Sequence, residues 1–66
     1  MNEYMRTKLD LEGEILALKQ LLDSTDYKTL KYLEGYISET EYKDIKEYRE
    51  SLRQKINELE AKTASL

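Results

Sequence analysis

The residues available for chemistry are carboxylates, lysines, arginines and tyrosines, because the chain has no His and no Cys. Without an imidazole or a thiol, Ser-His-Asp or Cys-His catalysis and the usual structural zinc sites have no base, nucleophile or ligands. The 14 Asp and Glu residues remain as candidates for acid–base work, which needs two carboxylates held together in a cleft. Their spacing argues against it. Glu12 with Glu14, Glu39 with Glu41 and Glu58 with Glu60 stand two residues apart, and on a helix such pairs point to different faces. No calcium-loop pattern or glycine-rich phosphate loop accompanies them, since Gly13 and Gly35 are isolated. The expectation is a non-enzymatic protein with no catalytic residue, no metal site and no cofactor.

The cations and aromatics are more suggestive. Lys46, Arg49 and Arg53 share one helical face beside Tyr42 and Tyr48, a combination that can contact phosphates and bases. Asp44, Glu47 and Glu50 are interleaved with them, and the formal net charge is -3, so nucleic acid is disfavoured as a partner. In the favoured reading Arg49 lays its aliphatic stem over the core and pairs with a carboxylate of another helix. Tyrosines at 27, 32, 36, 42 and 48 account for most of the 6 in the chain. They form either a local aromatic core, the favoured reading, or a patch that binds a partner. The candidate partner-binding set is Tyr32, Tyr36, Tyr42, Lys46, Arg49 and Arg53.

The elements that must position these residues are helical, because Leu, Glu and Lys dominate while Val and Phe are absent. Tyr4, Leu11, Ile15, Leu18 and Leu22 follow a four-three spacing, with Leu9, Leu16 and Leu21 widening the apolar face, which predicts a helix over about 3–23. Asp23, Ser24, Thr25 and Asp26 form a capping cluster that ends it and starts a second helix over about 27–34, with Leu30 and Leu33 inward and Gly35 just past its end. Ser38 with Glu41 three residues on, flanked by Ile37 and Tyr42, reads as a capping box with a hydrophobic staple. A third helix over about 39–62 follows, with Ile45, Arg49, Leu52, Ile56, Leu59, Thr63 and Leu66 in four-three alternation. The expected fold is therefore one all-α domain, an antiparallel hairpin of two long helices with a short helical corner.

At 66 residues a single core rarely contributes more than about 3–5 kcal/mol, and chains of this size use disulfides, metals or association. With the first two excluded, the apolar faces predict a homodimer closing a four-helix bundle. Its self-association candidates are Leu11, Ile15, Leu18, Leu22, Leu52, Ile56 and Leu59. No apolar run approaches the ~18 residues needed to span a bilayer, and no apolar block opens the chain, so no membrane role and a cytoplasmic location are expected.

Residues 22–60 contain Thr25, Asp26 and Tyr27 at the first turn, then Lys31, Glu34 and Gly35. Tyr48, Arg49, Leu52, Arg53, Ile56, Asn57, Leu59 and Glu60 follow in the last helix. This pattern resembles that of small proteins encoded among phage and prophage tail genes, including those described as tail-assembly-chaperone-like, and it covers a little over half of the chain. The resemblance implies a helical phage or prophage accessory protein that contacts another phage or host protein during tail assembly or within the tail. It also implies that Asp26 caps the short helix, that Tyr27 packs inward, and that Arg49 bridges from the last helix to carboxylates or carbonyls at the corner. A small phage-encoded inhibitor of a host defence or other host protein is the alternative. Either would work in the host cytoplasm, with virion attachment open to the first.

Overall fold

In the last turn of the first long helix the Leu22 carbonyl is shared by three donors, and that convergence sets the corner of the molecule. Its oxygen accepts from the Thr25 backbone N–H at 3.1 Å, from the Thr25 hydroxyl at 2.7 Å and from Arg49 Nη1 at 3.3 Å. The computed structural model describes residues 3–66 and contains α1 (Glu3–Ser24), α2 (Asp26–Leu33) and α3 (Glu39–Ala64), with no strand among the described residues. The chain is all-α. The last carbonyls of a helix lack partners within it, and here the Ser24 hydroxyl answers one by donating to Leu21 O at 2.6 Å, as Thr25 does for Leu22. The capping cluster thus serves the end of α1. Thr25 occupies the position before α2 but makes no side-chain cap there, so the capping role expected of Asp26 is not what the corner uses. Asp26 lies inside the first turn and turns toward Arg49.

α2 ends in a Schellman arrangement, with Tyr36 N–H donating to Lys31 O at 2.8 Å and Gly35 N–H to Tyr32 O at 3.0 Å. Gly35 has φ of 87°, a left-handed backbone that a side chain would strain. Ser38 then caps α3 in extended conformation, its Oγ accepting from the Glu41 N–H at 3.1 Å. The reciprocal half of the box differs from the usual form, because the Ser38 hydroxyl donates to Glu41 Oε1 at 3.3 Å.

α1 and α3 run antiparallel, with Ile15 packed on Ile56 and Leu59, and with Leu11, Leu18 and Leu22 flanking that cluster. Leu52 is buried farther toward the corner. The seven residues assigned to self-association therefore line the seam between the two long helices of one chain. The apolar residues left exposed are others, including Leu9, Leu16 and Leu21 on α1. The molecule is a rod of 51 × 15 × 13 Å with a radius of gyration of 15.5 Å, against roughly 11 Å for a compact chain of this length.

The face that α2 turns inward is a correction to the sequence expectation. Leu30 and Leu33, expected inside, are 58% and 73% exposed, and Tyr27 is 54% exposed, its ring under Lys31 Nζ at 5.6 Å. α2 instead docks through Thr29 and Tyr32, together with Thr25 just before it, which are buried or half-buried. The reason lies in what α3 offers there, a guanidinium and a phenol. Polar Thr25 and Thr29 satisfy those groups, whereas a leucine would leave them unpaired.

Candidate functional site at the basic corner groove

Arg49 sits in the third turn of α3 and reaches back into the corner. Its Nη1 donates to Thr25 Oγ1 at 2.6 Å, to Asp26 Oδ1 at 2.8 Å and to Leu22 O at 3.3 Å. Arg49 is 9% exposed and Thr25 8%, so the bond to the hydroxyl is the desolvated one, while those to the Leu22 carbonyl and to Asp26, whose side chain is 59% exposed, are only partly buried. The bridge from the last helix to corner carboxylate and carbonyl is the geometry that the resemblance implied for Arg49. The cation also lies at the C-terminus of α1, where the helix dipole favours positive charge.

Beside it, Tyr32 of α2 and Tyr42 of α3 stack with ring centroids 4.2 Å apart and planes at 5°. The Tyr42 and Thr29 hydroxyls are hydrogen-bonded at 3.0 Å. Together these side chains floor an open groove of about 750 Å³ between α2 and the first half of α3. Lys43, Lys46 and Arg53 line its α3 side along with Arg49, and Glu39 is the one carboxylate on its wall. The groove is thus strongly cationic on a chain whose net charge is -3.

Of the candidate partner-binding residues, the structure brings Tyr32, Tyr42, Lys46, Arg49 and Arg53 to this groove. Tyr36 lies outside it, 76% exposed in the connection after α2. Sequence reasoning did not single out Thr25 and Thr29 as part of this site. Their spacing of four, continued by Tyr32 three residues later, was the available signal, since it makes a small-polar stripe along one face of α2. Among the described residues no three carboxylates converge to hold a metal ion, and no helix is long and apolar enough to cross a membrane. The arrangement suits capture of anionic groups by charge and hydrogen bonding. No family model, curated protein or solved structure matches this chain.

Proposed function

We propose that the chain is a non-enzymatic protein-interaction module that pairs with a second copy of itself into a four-helix bundle and presents its corner to another protein. The observation that carries this reading is unpartnered surface. The chain exposes 5165 Å², whereas a compact monomer of 7.9 kDa exposes about 4,400 Å². The excess of roughly 750 Å² is close to the ~800 Å² that each partner buries in a standard protein interface. Among the described residues only Ile15, Leu52, Ile56 and Leu59 are buried hydrophobics, and none of their side chains is fully enclosed. Leu9 and Leu16, 50% and 58% exposed, lie seven residues apart on one flank of α1, a spacing that seats a second helix. The resemblance of residues 22–60 supports the setting, a phage or prophage accessory protein acting in tail assembly or tail structure.

Sedimentation equilibrium over a concentration series tests the pairing. The expected result is a dimer whose melting temperature rises with concentration. A Leu9→Glu, Leu16→Glu variant should sediment as a monomer while keeping its helical circular dichroism. A parent chain that stays monomeric throughout overturns the reading, and so does a variant that remains dimeric.

A further inference from the structure

The corner groove contains an arginine fork with one arm already engaged. All three hydrogen bonds of Arg49 leave from Nη1. No buried side-chain nitrogen or oxygen among the described residues is both shut off from solvent and unpaired. Nε and Nη2 of Arg49 therefore keep some contact with solvent on a side chain that is 11% exposed, and that side chain lines the groove. Those two nitrogens form the edge of a guanidinium that grips a carboxylate through two parallel hydrogen bonds. An exposed arginine loses rotamer freedom on binding, but this one is held beforehand by Thr25 and Leu22, so less ordering remains to be done.

We propose that the groove binds an acidic segment of a protein partner, one carboxylate seated on the Nε–Nη2 edge of Arg49 and neighbouring carboxylates drawn by Lys46 and Arg53. This goes beyond pairing with a second copy and rests only on the reading of the chain as an interaction module. Charge complementarity names the occupant, because Lys43, Lys46 and Arg53 line the groove beside Arg49, which is already paired with Asp26, and Glu39 at the start of the same helix is the one carboxylate in that lining. A nucleic acid fits less well. Asp44, Glu47 and Glu50 are interleaved with these cations on the same helix, so the cationic stretch is too short for a long polyanion. Tyr32 and Tyr42 also already spend one ring face each on one another, which halves the stacking surface open to bases. A short acidic peptide stays within the cationic stretch.

The experiment titrates the full chain against a short fluorescein-labelled poly-glutamate peptide by anisotropy, with a single-stranded oligonucleotide of equal charge alongside. Binding of the peptide is expected, weakened about tenfold or more by Lys46→Gln with Arg53→Gln, both on the solvent side of α3. In ¹⁵N spectra the Nε–H signal of Arg49 should move on addition of peptide while that of Arg6, on α1, stays in place. Equal affinity for parent and double variant, an unmoved Arg49 signal, or tighter binding of the oligonucleotide each overturns the proposal. Sedimentation of the same samples separates the two readings. A monomer that binds the peptide overturns pairing and leaves the groove standing, whereas a dimer that ignores the peptide overturns the groove alone.

Discussion

Thr25 and Arg49 stand 24 positions apart in the chain and meet at 2.6 Å, hydroxyl to guanidinium, in a buried polar contact. The contact ties the end of α1 and the start of α2 to the middle of α3, so one side chain holds all three helices at the corner.

Replacing Arg49 by Ala should therefore lower stability by about 2–3 kcal/mol, because a charged hydrogen bond to the buried Thr25 hydroxyl, two partly buried ones and the packed aliphatic stem are lost together. For a domain this small that is roughly 10–20 °C in melting temperature at a fixed protein concentration. Asp26→Asn should cost less than about 1 kcal/mol, since the Asp26 side chain is 59% exposed and its charge pairing is screened. Thr25→Val, which keeps the shape and removes the hydroxyl, should fall between them at about 1–2 kcal/mol. Thermal melts of the three variants check the order. If Asp26→Asn matches Arg49→Ala, the ion pair and not the hydroxyl and carbonyl anchors the corner.

Ser38 gives a second, local prediction. Its Oγ accepts the Glu41 N–H, one of the unpaired donors at the start of α3, so Ser38→Ala should cost about 1 kcal/mol. Glu41 contributes its backbone to that cap, and its side chain only receives the exposed serine hydroxyl at 3.3 Å. Glu41→Gln should then change stability by less than about 0.5 kcal/mol, the range of an ordinary surface substitution. Urea unfolding with a constant slope distinguishes the two, and equal losses would mean that the carboxylate carries the cap.

Legibility in this chain follows the range of the interaction. The Ser38 cap, the Gly35 turn and the four-three spacing of Leu11, Ile15, Leu18 and Leu22 are local, and the all-α fold they imply is what the structure has. Periodicity identifies an apolar face but not which helix covers it. Leu52, Ile56 and Leu59 were as compatible with a second copy as with the α1 of their own chain, where they pack. α2 was misread because apolar residues were assumed to turn inward. Its docking was decided by Arg49 and Tyr42, whose demand for hydroxyls drew Thr25 and Thr29 inside and left Leu30 and Leu33 at the surface. The groove was legible as residue types, Lys46, Arg49 and Arg53 with nearby tyrosines. The pairing of Tyr32 with Tyr42 depended on the angle between α2 and α3 and could not be read from spacing.

The two glycines should respond to the same substitution with opposite signs. Gly13 lies within α1, and a Cβ built there meets no atom within 4 Å. Gly13→Ala should stabilise by about 0.5–1 kcal/mol through helix propensity and a less flexible unfolded chain. Gly35 also has space for a methyl, but its φ is 87°. Alanine there must either hold a left-handed backbone at a cost of about 1–2 kcal/mol or open the turn that lets Tyr36 N–H reach Lys31 O. Because neither site has a steric clash, the difference between the variants isolates backbone conformation. Paired melts should show Gly13→Ala above the parent and Gly35→Ala below it. Destabilisation by Gly13→Ala would mean that the glycine is needed where a second helix approaches α1, which a sedimentation run on the same variant would reveal as weakened self-association.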